Sequence, residues 1–180
     1  MIRLFIALDL PVNVKEKLQH FTESLAIEQA RLIEAKNLHL TLKFLGYVEN
    51  NLLPEIDEQL KIAASKHFPF DIRLDHLGAF PSKRQGRILW IGSESNKQLE
   101  SLATDLDNAL SKFGFEPEKR AFKVHLTLAR FKKPADLTEI LEAPIEVVSE
   151  KISDFALFES KLSSKGAQYR VIEKYFLKNA

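Results

Sequence analysis

Apolar positions recur along the chain in helical and strand rhythms that alternate. Residues 2–8 are apolar at every position but Arg3, which predicts a strand covered on both faces, and Asp9 followed by Pro11 reads as the start of a helix. Val14, Leu18, Phe21 and Leu25 then recur at spacings of 4, 3 and 4, lining one helix face and turning Lys15, Glu16, Lys17 and Glu23 to water. A short strand near 31–33 follows, and another over 38–45 that Gly46 closes. Leu53, Ile56, Leu60 and Ala63 mark a second helix, with Asn50 or Asn51 as its cap. Phe70, Ile72 and Leu74 alternate with Asp71, Arg73 and Asp75 as a half-buried strand; a turn-forming, charged loop over 81–86 joins it to a strand over 87–92 that holds the sole tryptophan, Trp90. Leu99, Leu102, Leu106, Ala109, Leu110 and Phe113 predict a third helix, ended by Gly114 in the left-handed conformation. Strands near 123–130, 147–158 and 171–177 complete the series. Strands that alternate more than they run continuously apolar, interspersed with helices, predict an α+β fold with antiparallel sheets. No linker interrupts the pattern, so residues 1–180 are expected to form a single domain.

Composition narrows what such a domain does. Lys and Arg number 26 against 25 Asp and Glu, a net charge of +1, whereas proteins that coat nucleic acid carry a marked basic excess. Contact with nucleic acid is therefore expected at one or a few phosphates of an end. The chain has no cysteine, which removes thiolate chemistry, disulfides and Cys-containing zinc sites and favours a cytoplasmic location. The apolar N-terminal run is too short for a signal peptide, and no segment approaches the ~20 apolar residues of a membrane span, so no membrane partner is expected.

One short motif occurs twice. Leu38-His39-Leu40-Thr41-Leu42 and Val124-His125-Leu126-Thr127-Leu128 share His-Leu-Thr-Leu, with the histidines 86 residues apart. In a strand, residues two apart share a face, so each copy presents an imidazole beside a hydroxyl while its leucines enter the core. Two imidazoles and two hydroxyls without a carboxylate cluster suit a phosphodiester. With an ordinary pKa of ~6.5, one imidazole accepts a proton from water near neutral pH and the other donates one to the departing oxygen. The threonine hydroxyls hold the non-bridging phosphate oxygens. Either copy alone reads first as an ordinary amphipathic strand; the duplication carries the chemistry.

By these motifs the sequence resembles the 2H phosphoesterase superfamily, and within it the bacterial and archaeal RNA 2′,3′-cyclic phosphodiesterases, also called 2′-5′ RNA ligases. The likeness extends through Arg3-Leu4-Phe5-Ile6-Ala7-Leu8, Lys43-Phe44-Leu45-Gly46, Gly78-Ala79-Phe80-Pro81, Arg87-Ile88-Leu89-Trp90-Ile91-Gly92 and the segment from Ser160-Lys161-Leu162 to Gly166 and Tyr169. It departs at Ala167, where many relatives carry proline. The resemblance implies two pseudo-symmetric lobes, each an antiparallel sheet flanked by helices, around a central cleft. It implies hydrolysis of a terminal 2′,3′-cyclic phosphate to a 2′-phosphate at RNA ends, tRNA halves among them; a monomer is expected, and no metal or cofactor, since two histidines already supply acid and base. It also implies that His39 protonates the leaving 3′ oxygen and His125 activates water, a division that the residues themselves leave open, and that the reverse 2′-5′ ligation is accessible. Other 2H substrates (cyclic nucleotides, 2′-5′ oligoadenylates, ADP-ribose cyclic phosphate) and a non-catalytic RNA-end binding protein are the alternatives.

Further candidates surround the motifs. Arg130 sits at the end of the second motif strand on the opposite parity to Thr127, where a turn brings it to the phosphate; Lys43, at the matching place in the first copy, reads as solvated. Phe80 and Tyr169 are candidates for stacking on a terminal base, Phe80 reading also as a core aromatic. Lys83, Arg84, Arg87, Lys161, Lys165 and Arg170 are candidates for a basic rim. His67 and His76 lack a threonine two residues on, His20 has Thr22 there but lies in the first helix pattern rather than in a strand, and no zinc-type spacing joins them to the motif histidines.

Overall fold

The computed structural model describes residues 1–163 and 166–178. Its strands are β1 (Ile2–Leu8), β2 (Ala30–Leu32), β3 (Leu40–Val48), β4 (Phe70–Leu74), β5 (His76–Phe80), β6 (Gly86–Gly92), β7 (His125–Ala135), β8 (Val148–Ile152), β9 (Asp154–Ser163) and β10 (Gly166–Phe176), and its helices α1 (Val12–Ser24), α2 (Leu53–Ala64) and α3 (Lys97–Ser111). The strands form two four-stranded sheets, ordered β10-β9-β1-β3 and β2-β7-β6-β5, and a separate β4-β8 ribbon. Every pairing is antiparallel, as the alternating pattern predicts for an α+β fold. None of the described helices is long and apolar enough to cross a membrane.

β1 is buried on both faces because it is an inner strand with different material on each side. Leu4, Ile6 and Leu8 enter the main core, whereas Phe5 and Ala7 join Ala156 and Phe158 of β9 in a second cluster against Tyr169. The main core is continuous from Leu40 and Leu42 on one sheet to Leu126 and Leu128 on the other, and each such leucine contributes about 1.5–3 kcal/mol by leaving water. The helices exchange sides: α1 leaves β1 yet packs behind β2 and β7, and α3 leaves β6 yet packs behind β3. Both sheets therefore have their backs covered, and their other faces are left to form a cleft.

Several local expectations are corrected. α1 starts after Pro11 as expected, but Asp9 pairs with Lys15, which is consequently buried rather than turned to water. Neither Asn50 nor Asn51 caps α2, because residues 50–52 form a 3-10 turn and the helix begins at Leu53 with Pro54 in its first turn. Gly46 does not end β3; it continues the strand with φ of 71° beside a register shift. The segment 147–158 is two strands, since β8 pairs with β4 while β9 pairs with β1 and β10. β5, which the sequence pattern does not mark, fills the gap before the 81–86 loop. Gly114 is left-handed as expected, with φ of 85°.

Candidate active site

Both motif strands break register at the same point. On β3, Thr41 is opposite Ala7 but Lys43 is opposite Ile6, leaving Leu42 as an extra residue; on β7, Thr127 is opposite Trp90 but Ala129 is opposite Leu89, leaving Leu128 extra. Each bulge lies three residues after its histidine. An extra residue reverses strand parity, so Leu42 and Lys43 are buried in succession, as are Leu128 and Ala129. The fifth residue after each histidine, Phe44 and Arg130, is thereby returned to the face that carries the histidine and threonine. This corrects the reading of Arg130, which reaches the cleft from mid-strand by the bulge rather than from a strand end, and whose counterpart is Phe44. It also corrects Lys43, which is 8% exposed, ion-paired with Asp107 and bonded to the Glu116 carbonyl at 3.1 Å.

The two faces enclose a cavity of about 500 Å3 lined by His39, Thr41 and Phe44 from the first motif and His125, Thr127 and Arg130 from the second, with Tyr169 and Ala167 on β10 and Arg31, Glu34 and Asn37 on the chain from β2 to His39. The histidines are held alike: His39 Nδ1 donates to the Asn37 carbonyl at 2.8 Å, and His125 Nδ1 donates to the Lys123 carbonyl at 2.7 Å. A carbonyl only accepts, so Nδ1 keeps its hydrogen and Nε2 is left to exchange a proton in both rings. Each imidazole also meets an aromatic edge-on, His39 with Tyr169 at 5.0 Å and His125 with Phe80 at 5.2 Å between centroids. Phe5 lies 4.8 Å from His39 and stacks on Phe158. Burial among these rings pushes the His39 pKa down to about 4, against the opposing hydrogen bond to Asn37; the charges of Lys15 and Arg130 lower it further and that of Asp9 raises it.

On the second sheet, His76, Gly92 and His125 form one cross-strand row and Gly78, Trp90 and Thr127 the next. Gly78 lacks a side chain because the indole occupies its place: a Cβ there would lie 2.0 Å from Trp90 Cζ2. Lys123 lies 4.6 Å over the same indole.

The structure thus brings together His39, His125, Thr41, Thr127, Arg130 and Tyr169. Phe80 does not line the cavity; it packs beside His125 and Trp90 on the same sheet face, with ring centroids 5.2 and 5.4 Å away. The basic rim is not assembled: Lys161 and Arg170 both turn to Glu159, Arg87 donates to the Lys132 carbonyl, Lys83 and Arg84 neighbour Asp136, and Lys165 lies outside the described residues. The cations that do line the cavity are Arg31 and Arg130. Sequence reasoning misses Arg31, Glu34, Asn37 and Phe44 as site residues; the repeat itself could flag Phe44, by alignment with Arg130. Among the described residues no three His, Asp or Glu side chains converge as a metal site would require.

Two imidazole-hydroxyl pairs facing one cleft between antiparallel sheets define a 2H phosphoesterase. The model of the 2′-5′ RNA ligase superfamily matches residues 10–157, and the chain belongs to that superfamily. It is 36% identical to an RNA 2′,3′-cyclic phosphodiesterase of Methanocaldococcus jannaschii, over 96% of this chain and 99% of that one. It is 35% identical to the protein of the same name from Archaeoglobus fulgidus, over 93% and 96%. Among solved structures it resembles E. coli LigT complexed with 3′-AMP, with a TM-score of 0.82 at 26% identity over 99% of each chain. A Thermus thermophilus protein also gives 0.82, at 29% identity over 98% of each.

Proposed function

We propose that this chain is an RNA 2′,3′-cyclic phosphodiesterase that opens the terminal cyclic phosphate to a 2′-phosphate by general acid-base catalysis between His39 and His125. The observation that carries this reading is the cavity itself, into which matched imidazole-hydroxyl pairs project from two bulged strands; relatives bearing that activity's name match nearly the whole chain. Water loses a proton to one Nε2 as its oxygen bonds to phosphorus, the bond from phosphorus to O3′ breaks, and the other Nε2 delivers a proton to O3′. Thr41 and Thr127 hold the non-bridging oxygens, with Arg130 balancing their charge. Tyr169, which already packs on His39 and lines the cavity, borders the nucleoside. Residues 1–180 act as one two-lobed unit, a cytoplasmic monomer serving RNA ends such as tRNA halves, and no bound metal takes part.

By resemblance His39 is the acid and His125 the base. Because burial keeps His39 neutral before substrate binds, it must take up a proton from solvent as the substrate enters, the phosphate charge favouring the imidazolium. The same depressed pKa supports a second reading with the roles exchanged. A p-nitrophenyl phosphodiester separates the two, since its leaving group departs without a proton. On the first reading His39→Ala retains turnover of that substrate and His125→Ala does not; the reverse pattern exchanges the roles. Loss of neither activity, on this substrate or on an RNA cyclic phosphate, would refute the two-histidine mechanism.

A further inference from the structure

The β2–β7 register sets Arg31 directly opposite Arg130. Directly opposed residues of antiparallel strands have Cβ atoms ~4.5–5.5 Å apart, and like charges so placed repel. Both arginines line the cavity, and they are its permanent cations among the described lining residues. An arrangement that concentrates two guanidinium groups on one wall of a cleft in a protein of net charge +1 is suited to an anion of more than one charge or to two successive anions.

The positions of the two arginines distinguish these cases. Going along β7, His125, Thr127 and Arg130 succeed one another on the cleft face, so Arg130 is the guanidinium in line with the acid-base and hydroxyl groups. Arg31 lies one strand further out, on β2, which is the edge of its sheet. A free cyclic mononucleotide ends inside the cavity, whereas an RNA strand must leave it with another phosphate one nucleotide away.

We propose that Arg31 binds the phosphodiester joining the terminal nucleotide to the preceding one, so that the site selects RNA strand ends over free cyclic mononucleotides. This rests on the cyclic phosphodiesterase reading above. Arg31 is then a specificity residue and Arg130 serves the reacting phosphate. A charged hydrogen bond of this kind corresponds to on the order of 10–100-fold in binding.

The test compares two substrates, adenosine 2′,3′-cyclic monophosphate and the diadenosine dinucleotide ending in a 2′,3′-cyclic phosphate, with the unaltered protein, Arg31→Gln and Arg31→Lys. In Arg31→Gln the ratio of kcat/KM values, dinucleotide over mononucleotide, should fall roughly 10–100-fold. The log-log salt dependence for the dinucleotide should lose about 0.7 of its slope, the contribution of one single-strand phosphate. Arg31→Lys, which keeps the charge, should recover part of the ratio. An unchanged ratio overturns the proposal, and so does an equal loss on both substrates: with an unaltered melt it places Arg31 at the reacting phosphate, and with a lowered melt it makes Arg31 a structural residue. Absence of turnover of both substrates by the unaltered protein refutes the phosphodiesterase reading and the proposal together.

Discussion

The half-buried imidazole of His39 should make the protein's stability depend on pH in a way that a single substitution removes. In the unfolded chain this ring titrates near 6.5, whereas in the fold burial holds it down to about 4. Between these values the unfolded state binds a proton that the native state refuses, so stability rises with pH across the window and is lost as pH falls from 6.5 towards 4. The displacement corresponds to about 3 kcal/mol, the full amount being present above the window and absent below it. His39→Asn keeps a polar side chain but cannot titrate. The carboxylates common to both proteins cancel when the two are compared, so the unfolding free energy of the unaltered protein minus that of His39→Asn should fall by about 3 kcal/mol between about pH 7 and pH 4. Urea unfolding at intervals of half a pH step measures that difference, and NMR of the His39 ring in the native protein reads its midpoint directly. Adding inorganic phosphate should move the midpoint upward, because an anion beside the ring favours its charged form. A pH-independent difference, or a native midpoint near the ordinary histidine value, would refute the account of His39 as neutral in the empty cleft.

Thr41→Ala and Thr127→Ala should each lower kcat/KM for an RNA cyclic phosphate while leaving the thermal melt in place, and unchanged kinetics in both would remove the hydroxyls from the phosphate site. Gly78→Ala introduces a Cβ 2.0 Å from Trp90 Cζ2, so it should destabilise the fold by about 1–3 kcal/mol and slow turnover through the shifted indole beside His125; a neutral effect in denaturant unfolding would contradict the close contact. Turnover should persist in EDTA, and complete loss restored by Zn2+ or Mn2+ would show that the two histidines do not supply the chemistry unaided.

The helices were legible because each apolar stripe is a local signal: Leu99, Leu102, Leu106 and Leu110 of α3 are all fully buried, on the face their spacing defines. The histidine-threonine pairs were legible for a similar reason, as they lie within three residues on one strand face and occur twice. What escaped the sequence depends on partners far along the chain. The bulges at Leu42 and Leu128 exist only in the pairings with β1 and β6, and an alternation rule applied to the motif strand alone assigns Arg130 to the wrong face. Lys15 and Lys43 look solvated until Asp9 and Asp107 are brought against them. Arg170 and Lys161 look like a substrate-facing rim until the β9–β10 pairing sets Glu159 between them. β5 carries Gly78, a poor strand residue in isolation; it is a strand through its pairing with β6, where the missing Cβ leaves room for the Trp90 indole.

On the proposed mechanism the duplicated motif supplies two nitrogens with different tasks, and the walls around them differ. On the first sheet His39 is set among Phe5, Phe158 and Tyr169, with Phe44 at the position the bulge returns to the cleft. On the second, the corresponding bulge returns Arg130, with Arg31 across from it and Lys123 over the Trp90 indole. The backbone devices are the same in both copies: a carbonyl two residues back that fixes Nδ1, and an extra residue three positions on. Their side chains differ in kind, apolar and desolvating on one wall, cationic and anion-seeking on the other. A phosphate entering between them meets its attraction on the arginine wall while carrying negative charge to the imidazole that burial has held neutral. On the proposed mechanism the substrate would thereby change the protonation of His39 as it binds, and the asymmetry of the two walls would set the order in which the protons move.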